Sequence, residues 1–417
     1  MSPNVLVCIL CGAALAGVIM RPLTLPEAVW PLLAGVLLVL LRLLSPADAV
    51  AGAAKGIDVY LFLAGMLLLS ETARETGLFS WLAACAARHA CGSATRLFLL
   101  IYAVGTVVTI FLSNDATAVV LTPAVAAVIG TAKVSRPLPY LLICAFVANA
   151  ASFVLPISNP ANLVIYGRLM PPLQQWLPRY LLPSLLSIVA TYIALRFVQR
   201  HQLRGAISSD TPLPHLSPGG RVAAAGITAT AAVLMIASAI GVPLGAPTAA
   251  AGLLTAGAVL VFERRNPWMS FRQVSWGVIP LVAGLFILVE ALNRAGVTQL
   301  IGDWLRHRTD GSGESTAWIS GLATAAVCNL LNNLPTGLIA SSALHHSAAP
   351  DEVVRATLIG VDLGPNLSVT GSLATMLWLS ALRREGLKVG AVQFLGLGLI
   401  VTPPALLLAL AASILSG

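Results

Sequence analysis

Two stretches decide the fold: FLSNDATAVVL, residues 111–121, and CNLLNNLPTGLI, residues 328–339. Each sets a short polar cluster, LSNDAT or LNNLPT, at the centre of an apolar tract, 95–130 in one case and 315–346 in the other. A continuous helix would have no use for Asn, Asp and Pro at its middle. Backbone that leaves helical geometry inside a membrane must be sheltered by protein or line a water-filled cavity. The reading is therefore a re-entrant hairpin in each tract, with its tip stopping in mid-membrane.

The surroundings support a membrane setting. Of 417 residues, 58% are hydrophobic and 10% charged, where a soluble chain carries about 25% charged residues. Mean hydropathy is +0.89. Apolar segments of spanning length, about 17–25 residues, fall near 4–20, 28–44, 57–73, 138–167, 176–198, 222–241, 247–263, 274–292, 352–382 and 389–416. The run from Asn4 to Met20 has no positive charge before it and no small-residue cleavage site, so it reads as a first membrane helix and not as a signal peptide.

The two hairpins belong to a repeat. GIDVYLFLAGMLLLSETARETGL (56–78) resembles SWGVIPLVAGLFILVEALNRAGV (275–297), with Glu71 over Glu290. NAASFVLPISNPANLVIY (149–166) lies over DLGPNLSVTGSLATMLW (362–378), and both interrupt long apolar segments with Pro, Gly, Ser and Asn. The expected fold is an all-α polytopic membrane protein with two inverted-topology repeats. It has about ten transmembrane helices plus two re-entrant hairpins, and two of the helices are discontinuous. The repeats would span 1–198 and 222–417, with 199–221 as a cytoplasmic linker. Five spans and a hairpin per half turn the second half upside down, the design of many secondary transporters.

Charge orients the halves. Sixteen of the 24 Lys and Arg fall on the side of the central loop, Arg74 and Arg272 among them, and eight on the other. The positive-inside rule puts that loop in the cytoplasm and both termini outside. The basic pI of about 9.5 has the same origin: no basic run is interleaved with aromatics, so nucleic-acid binding is not expected.

Four polar clusters carry the chemistry. They are Ser113 to Thr117, Pro156 to Asn162, Asn332 to Thr336, and Gly364 to Ser372. From them come the candidate solute contacts: Asn114, Thr117, Ser158, Asn159, Asn162, Asn332, Asn333, Thr336, Asn366, Thr370 and Ser372. Amides, hydroxyls and exposed carbonyls can replace the water around a small polar solute. Any one Ser or Thr could merely let helices pack closely, but four related clusters argue for a site. Asp115 and Asp362 are the carboxylates deepest in apolar sequence. A charge there is expensive and commonly functional, which makes both candidates for proton coupling. As text, Asp115 aligns with Asn333 and Asn149 with Asp362, so each acid has an amide for its counterpart. Glu71 and Glu290 lie nearer helix ends and read as structural.

Other chemistries are poorly served. The six Cys and six His show no zinc spacing, so no metal or cofactor is expected. There is no Walker-type phosphate loop, no HExxH and no Gly-x-Ser-x-Gly elbow, and an enzyme is not expected. Two membrane aspartates leave an intramembrane aspartyl protease as a remote alternative.

At these motifs the chain resembles the ArsB family of arsenite/antimonite efflux permeases, within the wider ion transporter superfamily. The resemblance is strongest at VDLGPNLSVTGSLATMLWLSALRREG (361–386), and extends to SNDATAVVLTP (113–123), PISNPANLVI (156–165) and NNLPTG (332–337). It implies export of trivalent arsenic and antimony across the bacterial inner membrane in exchange for protons and, for some members, a cytoplasmic ATPase subunit. The polar hairpins are shared with sodium-coupled dicarboxylate carriers and sodium/proton antiporters, which remain the alternatives. No Lys or Arg sits in the four clusters, which suits uncharged As(OH)3. Cys144 and Cys328 lie close by, but thiolate ligation of arsenic would slow release.

Overall fold

The computed structural model describes residues 2–21, 25–205, 207–208, 214–264 and 266–415. Among them the secondary structure is helical throughout, and the helices fall into two sets of ten. The first set is α1 Pro3–Met20, α2 Val29–Leu40, α3 Pro46–Ala54, α4 Ile57–Glu75, α5 Leu78–His89, α6 Ala94–Phe111, α7 Asn114–Thr131, α8 Leu138–Ala150, α9 Pro160–Tyr166 and α10 Leu173–Gln199. The second is α11 Pro218–Ala239, α12 Gly245–Glu263, α13 Pro267–Gln273, α14 Val278–Arg294, α15 Val297–Thr309, α16 Gly313–Leu331, α17 Asn333–Ser347, α18 Asp351–Leu363, α19 Leu373–Arg384 and α20 Ala391–Leu415. Each helix of the first set has its mate ten places on.

The packing obeys the same pairing. Helix α4 lies along α12, and its mate α14 lies along α2. Helix α6 packs on α8 as α16 packs on α18, and α5 on α7 as α15 on α17. Short α9 crosses to α17 of the other half, and α19 returns the contact to α7. Helices α10 and α20, each with prolines inside (Pro178 and Pro183; Pro403 and Pro404), pack on one another. This is a pseudo-two-fold arrangement of two inverted repeats.

Local sequence explains the boundaries. Ser45, Ser93, Ser217 and Ser312 accept hydrogen bonds from backbone N–H groups at the starts of α3, α6, α11 and α16, satisfying donors a helix end leaves open. Arg264 and Ala348 take left-handed conformations that stop α12 and α17. The outward faces are apolar, as in Leu254 and Val261 on α12, which suits lipid and not water.

By length and apolarity, seven described helices can cross a membrane, or nine if two bent pairs each count as one. Those pairs are α3 with α4, bent by 50°, and α13 with α14, bent by 45°. The expected span at 28–44 is shorter, since α2 stops at Leu40. Helices α5 and α15 occupy segments that the apolar pattern leaves as loops. Both hairpins are present. Thr109 Oγ1 on α6 lies 2.8 Å from Thr117 Oγ1 on α7, so the arms run side by side. In the second hairpin the mate of Thr109 is Cys328, whose thiol faces Thr336.

Candidate functional site

The hairpin tips are built by polar caps. Ser113 Oγ accepts from the Ala116 N–H at 3.2 Å, and Asn114 Oδ1 from the Asp115 N–H at 2.9 Å. At the second tip Asn332 Oδ1 accepts from Leu334 N–H at 3.4 Å, and Asn333 Oδ1 from the same group at 3.0 Å. This geometry corrects the textual alignment. Asn114 corresponds to Asn333, so Asp115 corresponds to Leu334 and not to Asn333. One hairpin carries a carboxylate where the other carries an apolar side chain.

The broken helices meet between the tips. Helix α8 ends at Ala150, and the chain runs through a 3-10 turn, Pro156–Ser158, to α9. Helix α18 ends at Leu363, followed by the turn Gly364–Leu367 and the start of α19 at Leu373. Asn159 and Ser372 occupy equivalent caps, accepting from Ala161 N–H and Thr375 N–H. Asp362 lies fully buried between the breaks. Its two carboxylate oxygens accept from Ser152 Oγ at 2.8 Å and Asn159 Nδ2 at 2.9 Å. Beside it, Asn149 Nδ2 donates to Asn366 Oδ1 at 2.9 Å, and Asn366 Nδ2 to the Phe146 carbonyl at 3.0 Å. Asn162 Nδ2 donates to the Ser152 carbonyl at 3.0 Å. Asn149 is held by Asn366, and Asp362, its counterpart in the repeat, by Ser152 and Asn159.

Asp115 sits differently. Half-buried, it lines a small cleft of about 50 Å³ with Ser70, Glu71, Ser113, Pro160 and Ser275. No hydrogen bond or ion pair reaches its carboxylate from the described residues. Glu71 on the same wall is paired with Arg74. On the opposite end of the molecule Glu290 is bound by Lys55 at 2.6 Å and Arg294 at 3.2 Å. Both glutamates therefore anchor ion pairs, in keeping with the structural role expected of them.

Most candidate residues are brought together. Asn159, Asn162, Asp362 and Asn366 share the central network; Asn114 and Asp115 form the first tip; Asn332, Asn333 and Thr370 form the second. Thr117 and Thr336 are turned inward between their hairpin arms, and Ser158 donates to the Ile110 carbonyl at 2.9 Å. Ser372 is engaged with Thr375 at 2.8 Å. These four act within the frame of the site. Cys144 and Cys328 are fully buried; the Cys328 thiol donates to the Val361 carbonyl at 3.7 Å. Asn149, Ser152, Asn329 and Ser368 belong to the site without having been candidates. Asn329 had a signal, since it is a further amide in the apolar tract, three and four residues before Asn332 and Asn333. Ser152, in an otherwise apolar run, gave none.

The family described as citrate transporter matches residues 15–360 of the chain. The arsenical pump membrane protein of Escherichia coli strain K12 is 27% identical over 361 residues, 83% of each chain. A putative arsenical pump membrane protein of Bacillus subtilis is 23% identical over 414 residues, 92% of this chain and 93% of its own. An uncharacterized transporter of Mycobacterium tuberculosis is 26% identical over 369 residues, 84% of each. Among solved structures, the YdaH transporter of Alcanivorax borkumensis aligns with a TM-score of 0.54 at 15% identity, over 88% of this chain and 86% of that one. That likeness is one of fold.

Proposed function

The chain belongs to the citrate transporter family, and from that premise we propose that it exports trivalent arsenic, as arsenite or antimonite, across a bacterial inner membrane in exchange for protons. The observation that carries this reading is the electrostatic character of the site. The polar groups of the four clusters and the Asp362 network are amides, hydroxyls and two carboxylates, Asp115 and Asp362, with no Lys or Arg among them. A polycarboxylate entering it would meet like charge without a compensating cation, which is costly in a low-dielectric setting. Neutral As(OH)3 brings three O–H donors and no charge. The names of the Escherichia coli and Bacillus subtilis relatives support the same substrate class.

Proton exchange falls to Asp115 and Asp362, the carboxylates of the site. The cleft beside Asp115 opens toward Glu71 and Ser275, on the Arg-rich side that the loop charges assign to the cytoplasm. A second reading, a sodium-coupled carrier of small organic anions, is favoured by the description of the family itself. Uptake into everted vesicles distinguishes them. Arsenite accumulation driven by an imposed pH gradient, independent of sodium, is expected. Sodium-dependent uptake of succinate or citrate without arsenite movement would replace the first reading by the second. Asp115→Asn and Asp362→Asn test coupling: proton-driven uptake should be lost in one or both, and full uptake in both discards it. A cytoplasmic ATPase subunit, if one joins the carrier, would be recovered with it from solubilised membranes and would make transport nucleotide-dependent.

A further inference from the structure

The repeat makes the two hairpin tips equivalent in sequence position, yet they differ in what they leave unsatisfied. The second tip is sewn to the break of α18 and α19. The Asn333 N–H donates to the Gly371 carbonyl at 2.9 Å, and Asn332 Nδ2 to the Thr370 carbonyl at 3.4 Å. One turn below, Asn329 Nδ2 donates to the Gly364 carbonyl at 3.0 Å, while its Oδ1 accepts from Ser368 Oγ at 2.7 Å. Thr370 Oγ1 closes the set by donating to the Asn329 carbonyl at 3.0 Å.

At the first tip the mate of the Asn333–Gly371 bond would join Asn114 to Ser158, and it is not made. Hairpin and break are tied instead below the tip, by Ser158 Oγ to the Ile110 carbonyl. Among the polar residues of the tips and breaks, the open acceptors follow the same division. The side-chain oxygens of Asn149 and Asn162 are fully buried without a partner, and the Asp115 carboxylate has none among the described residues. All three lie in the N-terminal half, on the first hairpin or on the broken helix whose Pro160 lines the cleft. In the other half Asn329, Asn332, Ser368 and Thr370 are all engaged. A buried acceptor without a donor is costly, and in native structures it calls for an explanation.

We propose that the two half-sites have unequal jobs: the first, with Asp115, Asn149 and Asn162, takes the solute through its O–H donors, and the second is a lock that holds hairpin α16–α17 against the α18–α19 break. This rests on the reading of the solute as a neutral hydroxyl donor. The open acceptors match such a ligand, and Asp115 would repel a carboxylate in its place. Asn329, Ser368 and Thr370 are then positioning residues that touch no solute.

Arsenite kinetics in everted vesicles, together with thermal melting of the purified carrier, test the division. Asn162→Leu should raise the arsenite concentration for half-maximal uptake tenfold or more, and Asp115→Asn should do the same when read as arsenite exchange without an imposed pH gradient. Asn329→Ala and Ser368→Ala should leave it within twofold while lowering maximal uptake and melting temperature, with Asn329→Gln or Ser368→Thr restoring part of both. Half-saturation raised tenfold in Asn329→Ala would overturn the proposal, since the second half-site would then contact the solute. If the wild-type carrier moves no arsenite, the parent reading fails and melting decides the lock alone. Asn329→Ala and Ser368→Ala must melt below wild type and Asp115→Asn must not; the reverse order overturns the lock too.

Discussion

At the scale of single residues, Asp362 is defined by what donates to it. Replacing it with Ala strands the Asn159 amide, since Ser152 Oγ can still use the Asn149 carbonyl at 2.8 Å. An unsatisfied buried group costs about 1–3 kcal/mol, and the cavity adds to it. Asp362→Asn keeps the volume, accepts from Asn159 through its oxygen and can donate to Ser152 through its nitrogen. We therefore expect Asp362→Ala to melt well below Asp362→Asn in detergent, whatever either does to transport; equal melting would show that the bracket contributes nothing. Asn332 offers a second comparison. Its backbone, φ 76° and ψ 156°, occupies a region that essentially only glycine adopts, at a cost of about 1–3 kcal/mol. Its side chain repays part of this through Leu334 and Thr370. Asn332→Ala keeps the strain and loses the bonds, whereas Asn332→Gly loses the bonds and the strain together. The glycine variant should be the more stable of the two, and the opposite order of melting would remove strain from the account. The sequence made these residues visible because amides and acids in apolar surroundings demand a reason. Ser152 and Ser368 stayed hidden because a lone serine there packs as readily as it binds.

At the scale of elements, the crossings between halves depend on glycine where backbones meet. A Cβ on Gly65 of α4 would lie 2.2 Å from the Thr248 carbonyl oxygen of α12. Its repeat mate, Gly284 of α14, would meet Pro31 Cβ at 2.9 Å and Leu32 N at 3.1 Å. The first obstruction is backbone and cannot turn aside; the second is looser and begins with a side chain. Gly65→Ala should therefore cost more than Gly284→Ala, beyond the ~1–3 kcal/mol usual for overpacking, read as folded yield and melting temperature. Equal tolerance at both would mean that the α4–α12 crossing relaxes freely. The hairpins were legible because a polar break between two apolar arms has few other solutions in lipid. Helices α5 and α15 were not. At 12 and 13 residues with charged ends, they lack the length that marks a span, and only their packing on α7 and α17 places them.

At the scale of the molecule, orientation decides what the cleft means. Helix α4 runs from Asp58, beside a vestibule of about 590 Å³ shared with Lys55 and Gly167, to Glu71 at the Asp115 cleft. Thirteen residues of helix separate them, roughly 20 Å, so the two openings lie on opposite faces. Leu163 and Val164 of α9 line the vestibule, whereas Ser113 and Asp115 line the cleft. The face with the cleft carries Arg74, Arg264 and Arg272, and in the orientation proposed from the loop charges it is the cytoplasmic one. A carrier so oriented loads its solute from within, as export requires. Reporter fusions read this directly. Alkaline phosphatase joined after Gly417 should be active and green fluorescent protein at the same point dark, with the reverse for insertions in the loop between α10 and α11. A fluorescent C-terminal fusion would invert the molecule, the Asp115 cleft would load from outside, and the same site would then argue for uptake in place of efflux.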